Sequence, residues 1–160
     1  MRGAILPDAL LAAAVGFALS FAAPKVARNS ALIMIAVAVV TAMIPIAGFS
    51  DDIAFGGCWL SVLIAAACVH LKGGPNAIIA GVLAADAGLW QGLVTHVSQG
   101  AGVLAYALPA VLLFIPGQIL VRRGWGIAVK VAASWLIAIA VLEFGLNLVP
   151  TPGYKPDHMD

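Results

Sequence analysis

The stretch IIAGVLAADAGLWQGLV, residues 78–94, holds the acid Asp86 in the middle of an apolar run. It belongs to a chain of 160 residues that is 63% hydrophobic and 9% charged, whereas an average soluble domain is about one-quarter charged. A soluble protein of this length could not cover so much apolar surface, because a small chain buries only part of what it has. The composition therefore predicts an all-α, polytopic membrane protein whose helices contact the lipid bilayer.

Six apolar runs approach or reach the roughly 20 residues that a helix needs to cross the hydrocarbon core. They cover residues 5–23, 31–49, 53–71, 76–95, 101–121 and 126–148. Short polar segments separate them, and the proline-rich residues 150–160 are expected to form an extended tail. The sequence thus predicts one transmembrane domain over residues 1–160. Five spans would remain if the first run were a cleaved signal peptide, but the early Asp8 argues against that reading.

Charged residues of the loops indicate how the spans are oriented. The basic loop residues all fall in the first, third and fifth loops: Lys25, Arg28, Lys72, Arg122 and Arg123. The second and fourth loops carry only acids and a histidine: Asp51, Asp52 and His96. Because basic loops stay in the cytoplasm, both termini are predicted to lie outside. The composition suits the inner membrane of a bacterium.

The fourth run has two different faces on a helix. Small residues, among them Gly81, Gly88 and Gly92, fall on one side, where they would let another helix approach closely. Asp86 falls on the opposite, bulky side. A carboxyl group at this depth is costly unless it is protonated, paired or facing water, so it is a candidate functional site. Three roles remain open: a structural hydrogen bond to a neighbouring helix, movement of a proton or cation, or docking of a partner subunit.

Two charged residues of the sixth run complete the set of candidate transport residues. Lys130 lies about five residues into that run and is a candidate partner of Asp86. Its long stem could instead carry the ammonium group to the cytoplasmic headgroups. Glu143 lies near the outer end, where it would add to an acidic vestibule that concentrates cations. It could equally be a residue that reaches the interface.

Prolines interrupt two of the apolar runs. Pro45 lies in the second run, whereas Pro109 and Pro116 lie in the fifth. A proline inside a helix removes a backbone hydrogen bond and kinks the helix. With two such prolines, the fifth run is expected to be the most irregular.

These features favour a small transporter or channel-like protein that moves a proton, an ion or a small solute. The alternative is a non-catalytic accessory subunit, because a chain with almost no loops can act by packing in a homo-oligomer or larger membrane complex. An enzyme is not expected: Cys58 and Ser61 offer a thiol and a hydroxyl but no nearby base. No metal motif is present, nucleic-acid binding is not expected because Lys and Arg form no cluster, and the sequence leaves any cofactor unknown.

Overall fold

The computed structural model describes residues 2–44, 50–98 and 101–148, and within them the chain is a bundle of helices. Helix α1 spans Arg2–Leu19, α2 spans Pro24–Met43, α3 spans Asp51–Cys68 and α4 spans Ala77–Val97. The fifth run is divided into α5 (Ala101–Ala107), a 3₁₀ helix (Leu108–Leu113) and α6 (Phe114–Arg122), and α7 spans Gly126–Leu148. These described residues contain no strand, so the all-α prediction is confirmed.

Local signals explain where several helices begin. Ser50 caps α3 by accepting a hydrogen bond from the Ile53 backbone N–H, and Asn76 caps α4 by accepting one from Ile79. Each side chain satisfies a backbone donor that the first helical turn leaves unpaired. Gly73 adopts a φ of +85°, which favours glycine, and so lets the chain turn between α3 and α4.

Helix α1 is the central helix of the bundle. It packs against α3, α4, α5, the 3₁₀ helix and α6. Its fully buried apolar side chains are Leu11, Ala12, Ala14, Val15, Ala18 and Leu19. A helix that is apolar all round belongs to the interior of a structure. Helix α1 therefore carries its only acid, Asp8, into the centre of the bundle.

Among the described residues, four helical segments are long and apolar enough to cross a membrane, by length and composition alone. They are Pro24–Met43, Ala77–Val97, Leu104–Arg122 and Gly126–Leu146. The apolar parts of α1 and α3, Leu6–Leu19 and Asp52–Cys68, are shorter. The structure thus has several helices compatible with a membrane protein.

The first polar break was placed wrongly. The segment from Pro24 to Asn29 separates two predicted runs, but it forms the first turns of α2. Pro24 stands at the start of that helix, where its fixed φ favours helix and its missing N–H is not needed. The polar Arg28 is exposed while the adjacent Ala27 is buried, so the charges of this turn lie on the outer face of α2.

The irregular segment of the fifth run lies at Pro109, in the first turn of the 3₁₀ helix. Pro116 lies in the first turn of α6, where a proline is tolerated. Pro45 and the tail 150–160 lie outside the described residues.

Candidate functional site

Asp86 lies in the middle of α4 and faces α3. Its Oδ2 accepts a hydrogen bond from Ser61 Oγ at 2.6 Å, and its Oδ1 accepts one from Trp90 Nε1 at 3.1 Å. Trp90 is one turn after Asp86 on the same helix, which brings its indole N–H within reach. The carboxyl group is half-buried and is held by two donors. Asp86 is therefore partnered inside the bundle rather than directed at a bare apolar surface.

A second acid, Asp8 of α1, is 0% exposed. Its Oδ1 accepts a hydrogen bond from the Cys58 thiol of α3, with an Sγ–Oδ1 distance of 3.8 Å. Its backbone carbonyl accepts a hydrogen bond from Gln91 Nε2 of α4 at 2.8 Å. Asp8 thus joins the central helix to both α3 and α4.

Six polar or aromatic side chains meet at the junction of these three helices and are called here the three-helix cluster: Asp8, Cys58, Ser61, Asp86, Trp90 and Gln91. Cys58 and Ser61 are one turn apart on α3 and share one of its faces. Cys58 reaches Asp8 and Ser61 reaches Asp86. Two residues one turn apart on α3 therefore each contact one of the two carboxyl groups.

The cluster extends along the axis of the bundle. Helices α3 and α4 are antiparallel: Ser61 contacts Asp86, whereas Gly57, one turn earlier, packs on Trp90, one turn later. Asp8 and Cys58 each lie about 10 Å from the beginning of their helices. Measured from the C-terminal end of α4, Asp86 lies about 8 Å further into the bundle than Gln91. The cluster therefore runs from the end of the bundle where α1 and α3 begin toward the middle.

The three candidate transport residues do not come together. Lys130 places its Nζ 5.7 Å from the centre of the Phe21 ring, and the hydrogen-bond partners that the described residues supply to Asp86 are Ser61 and Trp90. Helix α7, which carries Lys130, packs mainly on α3, α6 and α1. Glu143 is half-buried about 20 Å further along α7. Among the described residues Lys130 thus contacts Phe21, and its candidate pairing with Asp86 is not found.

The glycines of α4 differ in what they face. A methyl group on Gly88 would overlap the Met34 carbonyl of α2, and one on Gly92 would overlap Thr41. Gly81, in contrast, has open space where a side chain would stand. The close contact expected at Gly81 is therefore not found in the described part of the chain, where Gly81 lies about 10 Å along α4 from Gly88.

The sequence analysis did not identify Asp8 or Gln91 as site residues, nor the partners of Cys58 and Ser61. The structure places the Asp8 carboxyl group beside Cys58 and the Asp86 carboxyl group beside Ser61, although neither pair is close in sequence. A signal was available in Asp8 and Gln91, because a polar residue inside an apolar run needs an internal partner in a membrane. Which residue supplies that partner depends on the packing of distant helices.

Gly57 controls the position of Trp90. A methyl group at residue 57 would overlap the Trp90 ring, whereas Gly56 has open space at the same point. We expect Gly57→Ala to displace the ring and break the bond from Trp90 to Asp86, and Gly56→Ala to change nothing. The measurement is the emission maximum of Trp90 in a variant whose other tryptophans are phenylalanine. An identical spectrum for both variants would contradict this role of Gly57.

The cluster can hold and release a proton or a small cation. A carboxyl group accepts a proton, and the Ser61 hydroxyl can donate to the ionised form of Asp86 or accept from its protonated form. Trp90 can only donate. No group of three or more His, Cys, Asp or Glu side chains among the described residues is placed to hold a metal ion.

Comparison of the chain with models of known protein families, with curated proteins and with solved structures finds no match. The function is therefore inferred from the three-helix cluster and from the surface of the bundle.

Proposed function

We propose that this chain is a six-span protein of a bacterial inner membrane that moves a proton or a small cation across the bilayer. The observation that carries the proposal is Asp86, a half-buried carboxyl group in the middle of α4 whose partner Ser61 lies one turn along α3 from Cys58, the partner of the buried Asp8. The test is ion flux through the purified protein in sealed vesicles, with and without the Asp86 carboxylate.

The surface of the bundle supports contact with lipid. Large apolar side chains are exposed on several helices, including Ile78 at 77% and Ile127 at 76%. Monomeric soluble proteins rarely expose extensive contiguous apolar surface, because water disfavours it. In the proposed topology, α1 and α3 also span the bilayer. Their 18 residues each correspond to about 27 Å of helix, slightly less than the hydrocarbon thickness.

The proposed path enters from the end of the bundle where α1 and α3 begin. By the distribution of basic loop residues this end is outside, together with both termini. An ion would meet the level of Asp8 and Gln91 first and would reach Asp86 near the midplane. The polar side chains on the way replace part of the hydration that the ion loses in a medium of low dielectric constant. This alignment favours a role in transport over a purely structural hydrogen bond.

A second candidate function, that of an accessory subunit, is favoured by one face of α7. Ile127, Val131 and Trp135 follow one another at four-residue spacing and are all exposed, with Trp135 at 70%. Residues at this spacing line one face of a helix, and an exposed apolar stripe can dock a partner helix. Native mass spectrometry of the gently solubilised protein separates the two functions, because an accessory subunit should retain a partner in stoichiometric amount.

The six-span topology predicts which residues are reachable from each side. In a background without native cysteines, Asp52→Cys should react with a membrane-impermeant thiol reagent added to spheroplasts. Arg123→Cys should react only after the membrane is permeabilised. Both positions are exposed in the bundle, so access to the reagent depends on the membrane alone. Labelling of both from the same side would contradict the topology.

A further inference from the structure

We propose that Asp8, Gln91 and Thr95 form a binding site for a small monovalent cation, Na⁺. The inference rests on the proposed function in that it names the cation taken up by the path. The proposed site lies in the outer part of the junction of α1, α3 and α4, between α1 and the last turns of α4.

Three oxygen atoms of these residues are buried without a hydrogen-bond partner among the described residues: Asp8 Oδ2, Gln91 Oε1 and Thr95 Oγ1. Asp8 and Gln91 are 0% exposed and Thr95 is 6% exposed. Buried polar atoms in folded proteins are almost always satisfied, because an unpaired one costs about 1–3 kcal/mol. Three such atoms at one junction point to a ligand that accepts electron pairs from oxygen.

Helix geometry brings the three side chains toward one another. Gln91 is tied to Asp8, since its Nε2 donates to the Asp8 carbonyl at 2.8 Å, which fixes its other amide atom nearby. Thr95 follows Gln91 by one turn on the same face of α4. Side chains of a helix tilt toward its N-terminus, so the Asp8 carboxyl group is directed toward the level of Thr95. The amide, hydroxyl and carboxyl oxygens thus face one region from two helices.

The charge and type of these ligands select the ion. Carboxylate, amide and hydroxyl oxygens are hard ligands, which favour alkali and alkaline-earth ions over transition metals. One carboxylate neutralises one positive charge, whereas a divalent ion would leave a net charge buried at membrane depth. The other acid, Asp86, is already engaged by Ser61 and Trp90. A monovalent ion therefore completes a neutral site.

The test measures sodium binding directly on the purified full chain. We expect radioactive sodium to bind in a scintillation proximity assay, to be displaced by unlabelled Na⁺ and not to be displaced by choline. Thr95→Val keeps the shape of the side chain and breaks no hydrogen bond, and it should weaken binding by about tenfold, the effect of roughly one ligand contact. Asp8→Asn should abolish binding. Ser98→Ala, which alters a half-buried hydroxyl near the same end of α4, is the matched control and should bind as the unmodified protein does.

A second measurement keeps the test decisive if Asp8→Asn fails to fold. The unmodified protein should melt about 5 °C higher in NaCl than in choline chloride of equal ionic strength, and Thr95→Val should lose most of this difference. Equal melting in both salts together with no bound sodium would overturn the proposal, as would full sodium binding by Thr95→Val and Asp8→Asn. Bound sodium without any ion flux in vesicles would instead contradict only the transport function.

Discussion

Replacement of Asp86 by asparagine is expected to abolish ion flux while leaving the protein folded. Asparagine has nearly the same shape as aspartate and retains an oxygen that accepts a hydrogen bond, so one of the bonds from Ser61 and Trp90 can persist. It cannot ionise, and it therefore neither binds and releases a proton nor neutralises a cation. Because an uncompensated cation at this depth is strongly disfavoured, we expect the flux to fall at least about tenfold, to the level of vesicles without protein.

The measurement uses proteoliposomes that contain a pH-sensitive or a sodium-sensitive dye and are driven by an imposed membrane potential. The matched control is Asp52→Asn, which removes an exposed carboxylate at the start of α3 and should leave the flux unchanged. Expression and melting temperature of Asp86→Asn should remain close to those of the unmodified protein. Undiminished flux through this variant would assign Asp86 a structural role. If neither dye responds with the unmodified protein, transport of a proton or sodium is excluded, and a partner retained in native mass spectrometry would then support the accessory function.

The largest expected effect on stability comes from replacing Gly88 or Gly92, the α4 glycines that face α2, with leucine. Gly88 lies against the backbone of α2 at Met34, and Gly92 lies against Ala38 and Thr41. A leucine at either position must push the two helices apart along their extensive contact. Overpacking of this kind costs about 1–3 kcal/mol, and for a chain of this length that corresponds to a decrease in melting temperature of about 3–10 °C.

Gly81→Leu provides the matched control on the same helix. A Cβ atom at residue 81 would meet no neighbouring atom within 4 Å, so we expect the bundle to accept a leucine there with a change in melting temperature of no more than about 2 °C. Thermal unfolding of the three purified variants in one detergent, followed by size-exclusion chromatography, measures the difference. Equal destabilisation by Gly81→Leu and Gly88→Leu would show that the contact of Gly88 with α2 is not the cause, since leucine favours a helix more than glycine does at both sites.

Much of the bundle follows from local sequence. Apolar runs separated by polar segments predicted helices in all six regions, and the helical parts agree with them apart from the first turns of α2 and the division of the fifth run. The polar residues after Pro24 predict the end of a helix, but they lie on the exposed face of α2, where polar residues are compatible with a helix. Helix formation depends mainly on neighbours within one or two turns, so the sequence contains that information.

The candidate site was predictable only in part. Asp86 stands out in its apolar run because a carboxyl group inside a membrane is costly, and the sequence alone identified it. Its partners, Ser61 and Trp90, were not identified, since the bond from Ser61 joins residues 25 positions apart. Gly81, Gly88 and Gly92 lie on the same side of an ideal helix, but only the latter two are at the level where α2 approaches.

The sequence by itself determined that this chain is built of apolar helices, that one of them carries an acid at mid-depth, and that its loops alternate in charge. Tertiary structure alone decided that α1 is the central helix and that Asp8, not Asp86, is the more deeply buried acid. The physical reason is that hydropathy and helix periodicity are properties of consecutive residues. Burial and hydrogen bonding of a side chain depend instead on which faces of distant helices are packed against it.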